Sequence, residues 1–165
     1  MNYRIGDHVM YISVGVCTVT GFEDKCFDGK TKKTYIELVP ETTIKTVCYL
    51  PEDMEGEKLR RLKSPEEVKS LIARIPEITP CQEAARNLRR TQFSEILKSD
   101  DTAKIISLVK LLQHNRSERE SAGKHLSASE ENTLKAALAL VSQEFATVLG
   151  ISETEAASRI CEKIA

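Results

Sequence analysis

The strand-like stretches of this chain lie before Pro51, and every strong helix-start signal lies after it. The stretch YRIGDHVMYISVGVCTVTGFEDK, from Tyr3 to Lys25, carries Val, Ile, Tyr, Thr and Phe around three glycines, and nothing later in the chain repeats it. A period of two and a period of 3.6 bury their apolar faces in different ways. The chain must therefore build a small sheet first and a helical body second.

Within the first fifty residues, strands are expected at His8–Ser13 and Val16–Glu23, with Gly15 as a bend or bulge between them. Asp28-Gly29 marks a polar hairpin loop, and Lys33–Val39 alternates. Ile44–Leu50 is expected as the last strand, an exposed edge that Pro51 terminates. Four or five short antiparallel strands of this length predict an SH3-like or Tudor-like module. Such a module is too small to enclose an enzyme pocket, and its open edge can recognise another chain by strand addition. An aromatic cage for methyl-lysine from Tyr11, Tyr35, Tyr49 and Phe22 is a further reading of the same module.

The helical part is punctuated by its caps. Ser64-Pro65-Glu66-Glu67 is a capping box with proline at the first helical position, opening a helix to about Arg74. Thr79-Pro80 is expected to open a helix through Lys98, and Ser99-Asp100 precedes one from Asp101 to about Glu120. Ser127-Ala128-Ser129-Glu130 is a second capping box, followed by an apolar stripe of Leu134, Leu138, Val141, Phe145 and Val148. Gly150 is the expected stop, and Ser152 with Glu155 opens a last helix, Glu153–Ile164. The expected fold is α+β: a β module over residues 1–53, a linker over 54–64 and an all-helical bundle over 65–165.

The composition argues against catalysis and membrane insertion. The phosphate-loop pattern is absent, since Lys30 follows a single glycine inside a hairpin. His8, His114 and His125 are isolated from other metal ligands, and the five cysteines contain no CxxC pair. Paired acids such as Glu66-Glu67 and Glu130-Glu131 sit in first helical turns, where the helix dipole favours them. No apolar run is long enough to span a bilayer, and MNYRIGDH lacks the apolar core of a secretory signal. The expectation is a non-enzymatic cytoplasmic monomer with reduced thiols, no cofactor, no metal and no small-molecule ligand. Its net charge of −1 is unevenly spread. Residues 54–125 carry 15 Lys/Arg against 11 Asp/Glu, between acidic flanks. That basic middle contains Arg86, Arg89, Arg90 and Lys98, candidates for phosphate contacts. On one helix Arg86 and Arg90 would point within about 40° of each other. Arg89 would fall nearer an apolar stripe of Ala85, Leu88 and Ile96.

These pieces, in this order, resemble a known family. YRIGDHVMY, GVCTV, YIEL and IKTVCYLPED are similar to the RNA polymerase-interacting domain of the CarD/CdnL transcription regulators, a domain related to one in the transcription-repair coupling factor. RNLRRTQFSEILKSDDTAKIISLVKLLQHN and the later KHLSASEENTLKAALALVSQEFATVLGISETEA resemble the family's helical domain. The resemblance implies a Tudor-like module that docks on the polymerase β subunit, partly by edge-strand pairing, through Lys25, Lys45, Val47 and Tyr49. It also implies a helical domain that contacts promoter DNA at the upstream edge of the melted region, where Arg86, Arg89, Arg90 and Lys98 are the candidate contacts. The modest positive charge of the middle segment makes that binding weak and with little sequence preference. The family's wedge is a tryptophan at the start of the arginine-rich helix. This chain contains no tryptophan, and the position falls on Arg86. Arginine enters a narrow minor groove but does not stack as a wedge. The alternative is an adaptor that docks on polymerase without touching DNA. A basic patch beside an exposed apolar side chain would favour DNA, and neutralisation by Glu83 and Glu95 would favour the adaptor.

Overall fold

The structure is a computed structural model that describes residues 2–12, 14–43 and 45–165. It divides into two compact units, Met1–Leu62 and Lys63–Ala165.

The first unit is a five-stranded antiparallel sheet of β1 (His8–Tyr11), β2 (Gly15–Lys25), β3 (Lys33–Pro40), β4 (Cys48–Pro51) and β5 (Leu59–Arg61). The spatial order is β4-β3-β2-β1-β5, so β4 and β5 are the two edges. Alternation along the strands sends Val9, Cys17, Val19, Ile36, Leu38, Leu50 and Leu59 into one core. Burial pushes the Cys17 thiol up to about 12, so it behaves as a small hydrophobe. Long β2 bends where Val19 faces Leu38 but Gly21 faces Glu37, leaving Thr20 as the extra residue of a bulge. Asp28 closes the β2–β3 hairpin by accepting the N–H groups of Lys30 and Thr31 at 3.0 and 2.8 Å.

Two strand expectations change. The fourth strand is Cys48–Pro51, which leaves Lys45 in a turn and Val47 just outside the ladder, while Ile44 lies outside the described residues. Pro51 is accommodated as the last residue of an edge strand, where a missing donor costs little. The stretch 54–64, expected as a linker, instead carries a one-turn helix, α1 (Glu55–Lys58), and β5. β5 pairs with the open side of β1, Leu59 opposite Tyr11 and Arg61 opposite Val9. Its sequence, Leu-Arg-Arg, has one apolar residue and no alternation to read. The pairing is set by the free edge of β1 and by Leu59 filling the core.

The second unit holds α2 (Pro65–Arg74), α3 (Arg89–Lys98), α4 (Thr102–Ser121), α5 (Ala128–Leu149) and α6 (Glu153–Ile164). The capping boxes at Ser64 and Ser127 form as the sequence predicts, and Asp101 and Ser152 cap α4 and α6. α4 and α5 supply most of the core: Ile106, Leu108, Val109 and Leu112 pack with Leu134, Ala137, Val141 and Phe145. The buried carboxylate of Glu144 accepts the Lys63 N–H at 3.0 Å. α5 and α6 meet at a bend of 114°, and no single helix among the described residues is long and apolar enough to cross a membrane.

The bend turns on Gly150, which sits at φ +66° while the Ile151 N–H reaches back to the Ala146 carbonyl at 3.1 Å. Gly150→Ala meets no steric obstacle, because nothing lies within 4 Å of the added Cβ. Its cost is the left-handed backbone alone, about 1 kcal/mol. Urea titration of the variant should show the midpoint falling with an unchanged slope.

The expected helix Pro80–Lys98 is shorter than its signals imply. Residues 79–85 have no regular structure, 86–88 form a turn, and α3 begins at Arg89 behind Leu88, whose side chain makes no cap. Tertiary hydrogen bonds hold the segment extended. The Cys81 N–H donates to the Ser107 carbonyl at 3.3 Å, and the Ala84 N–H donates to the Gln92 side chain at 3.0 Å. Gln92 in turn donates to the Gln82 carbonyl at 2.6 Å.

Candidate functional site

Each unit presents an exposed surface with aromatic, apolar or charged side chains. On the sheet, Phe27 rises from the β2–β3 hairpin with 64% of its surface exposed. Its ring meets Tyr35 edge-on, 4.9 Å between centroids, and Tyr49 of the β4 edge at 5.9 Å. The Lys25 ammonium lies 3.6 Å from the Tyr49 ring centroid and 2.9 Å from the Glu23 carboxylate. Val47, 42% exposed, lies directly before β4. Among the described residues β4 pairs only with β3, which makes it a sheet edge open to a further strand. Tyr11 and Phe22, counted among the cage aromatics, pack against the core instead, and Lys25 already covers the Tyr49 ring face.

On the helical unit, Arg86, Arg89 and Arg90 line a depression of about 440 Å³ together with Arg119 of α4. Buried Phe93 lies in its wall, and the start of α5 contributes Ser127, Ser129 and Glu130. The four arginines are not equivalent. Arg119 is engaged by both carboxylate oxygens of Glu130. Burial opposes ionisation of Glu130, but Arg119 and the N–H and hydroxyl of Ser127 outweigh it and hold the carboxyl at about 2. Arg89 donates through Nε to the Ala84 carbonyl at 3.2 Å and forms an ion pair with the Glu83 carboxylate at 3.1 Å. Arg86 and Arg90 are exposed and make no ion pair among the described residues. Between them in sequence, Leu88 is 55% exposed.

Two family models match, and together they cover almost the entire chain. The CarD-like/TRCF RID domain matches residues 3–63, and the CarD C-terminal domain matches residues 72–161. The chain belongs to the CarD family. As a CarD-family protein it is an RNA polymerase-interacting transcription regulator, and its sheet is the Tudor-like polymerase-interacting domain. No curated protein sequence matches the chain.

Measured against that CarD family reading, the expected site residues divide. Lys25 and Tyr49 come into contact, and Tyr49 also meets Phe27, which sequence reasoning missed. Its signal was an aromatic residue in an otherwise polar hairpin, where no alternation assigns it to the core. Lys45 is an exposed turn residue and Val47 sits beside the strand, so neither belongs to the β4 ladder. Arg86 and Arg90 share one depression, but because a turn leads into α3, not because they lie on a common helical face. Arg89 is committed to Glu83 and is not a free cation. Lys98 ends α3, about 13 Å along the helix from Arg89, and does not line the depression. Leu88, read as part of an apolar stripe, is instead the exposed apolar side chain of the surface.

Proposed function

We propose that this CarD-family protein docks on the polymerase β subunit through the β4 edge and the Phe27, Tyr35 and Tyr49 face, and that its helical unit contacts promoter DNA to alter the lifetime of the open complex. Acting as a monomer and without catalysis, it touches DNA weakly and without sequence preference, through Arg86 and Arg90. Leu88 takes the place of the missing wedge tryptophan. The observation that carries this reading is the sequence of charges at the start of α3. Two arginines without acidic partners flank an exposed leucine. Cations that reach phosphates and an apolar residue that can enter a base step are the two components of a minor-groove contact. Lys98, at the other end of α3, serves at most as an outlying phosphate contact.

The pairing of Arg89 with Glu83 and of Arg119 with Glu130 favours a second reading, the polymerase adaptor without DNA contact. Both readings require the β face. Phe27→Ser should weaken capture of the isolated β subunit by about tenfold, since an aromatic anchor at an interface contributes more than 1 kcal/mol. Phe27 is mostly exposed, so the circular dichroism spectrum should not change. Native affinity in a folded Phe27→Ser variant would move the docking face elsewhere. DNA contact is then read from crosslinking of the bound protein to the upstream edge of the promoter bubble, which the adaptor would not show.

A further inference from the structure

The depression at the start of α3 is larger than a surface contact with a passing phosphate needs. Its volume of about 440 Å³ falls in the range of small-molecule sites, about 300–1,000 Å³. Arg89 is matched by Glu83 from outside the lining, and Arg119 is matched by Glu130 inside it. The charges of Arg86 and Arg90 are left uncompensated on the same cavity. The carboxylate in the lining, that of Glu130, is held on Arg119 and on the Ser127 N–H and hydroxyl. It forms no ion pair with Arg86 or Arg90. Ser129 adds an exposed residue from the first turn of α5. Two free guanidinium groups opening on one cavity match the charge and the acceptor geometry of a phosphate or pyrophosphate.

We propose that the cavity lined by Arg86, Arg90, Arg119 and Ser129 is an anion site for a phosphate or pyrophosphate group, so that free phosphorylated ligands compete with promoter DNA for Arg86 and Arg90. The competition rests on the proposed DNA contact; the anion site itself does not. On the promoter the occupant is a backbone phosphate, and off it a soluble phosphorylated small molecule.

Ser129→Glu tests the site without removing a single cation. The residue is exposed and lies in the first turn of a 22-residue helix, where an added acid is favourable to the fold. Thermal unfolding of the full chain is followed against pyrophosphate at constant ionic strength, with chloride as the reference anion. The expected result is a saturable rise in Tm for wild type and for Lys98→Gln. Affinity should fall at least about tenfold in Arg90→Gln and in Ser129→Glu, since each change removes or cancels a charge-assisted bond. Pyrophosphate should also displace a short duplex from the wild type but not lower its residual binding to Ser129→Glu. A Tm that does not respond to pyrophosphate overturns the site, as does an equal loss in Lys98→Gln, which would indicate diffuse charge. If pyrophosphate binds but the duplex does not compete with it, the anion site stands and the DNA contact falls. If the duplex binds through Arg86 and Arg90 without pyrophosphate binding, the DNA contact stands and the anion site falls.

Discussion

Alanine at both Arg86 and Arg90 should leave polymerase binding intact and remove most of the protein's effect on open-complex lifetime. Both side chains are exposed and without ion pairs, so the double variant should lose well under ~1 kcal/mol of folding stability. Phosphate contacts act in proportion to their number, and these two are the uncompensated cations of the α3 surface. The measurement is decay of heparin-challenged open complexes with wild type, variant and no factor. Leu88→Ala separates the two components of the contact. A wedge predicts a loss comparable to that of the double arginine variant with no change in salt dependence, because no charge has been removed. Leu88→Trp should lengthen the effect beyond wild type. A wild-type protein that leaves the lifetime unchanged on several promoters would support the adaptor, and the double variant would then behave like wild type in every assay, with neither crosslinking to DNA.

Glu130→Ala, which truncates a buried acid, should be among the most destabilising substitutions at polar positions of the helical unit, at about 2–3 kcal/mol near neutral pH. It removes three things at once. The capping box at Ser127 loses its return bond, both Arg119 bonds disappear, and Arg119 is left half-buried without its acid. The same residue sets an acid limit. Its carboxyl titrates at about 2 in the folded chain against an ordinary value of 4.5. The unfolded chain therefore takes up the proton first as pH falls. The stabilisation is complete above about pH 5 and is lost progressively as pH drops through 4.5 toward 2. Urea titrations at pH 7 and pH 3 should show wild type losing stability over this interval and Glu130→Ala losing less, so that the two curves converge in acid. Glu130→Gln keeps an acceptor for the cap and should fall between them at pH 7. A constant difference between wild type and Glu130→Ala across the range would mean that the carboxylate is not what Arg119 and Ser127 hold.

Most helix boundaries were legible because they are local. Ser64, Ser127 and Ser152 each accept an N–H three residues on, Asp101 does so one residue later than the Ser99-Asp100 opening expected, and Gly150 takes the left-handed conformation that ends α5. Each of these needs only a few neighbouring residues, so the pattern and the structure agree. The start of α3 is the counterexample. Thr79-Pro80 resembles an opening, but the Ala84 N–H, which in a helix begun there would bond back to the Pro80 carbonyl, is taken by the Gln92 side chain, and the Cys81 N–H is tied to the Ser107 carbonyl of α4. No local pattern encodes a partner 26 positions away, between Cys81 and Ser107. That competition puts Leu88 on the surface and leaves Arg89, not Pro80, to begin the helix.

By itself the sequence determined the order of a β module and a helical unit, the caps, the apolar faces that fill both cores, and the family. All of these follow from residue periods and from bonds spanning three or four positions. Only the tertiary structure decided that β5 joins the sheet at β1 and that Phe27 gathers Tyr35 and Tyr49 on its surface. It alone decided which arginines remain free. Glu83 reaches Arg89 across a segment without regular structure, and Glu130 reaches Arg119 from the next helix. Charge composition counts four similar cations, but whether each meets an acid within 4.0 Å depends on how distant backbone segments are placed, and that is set by packing.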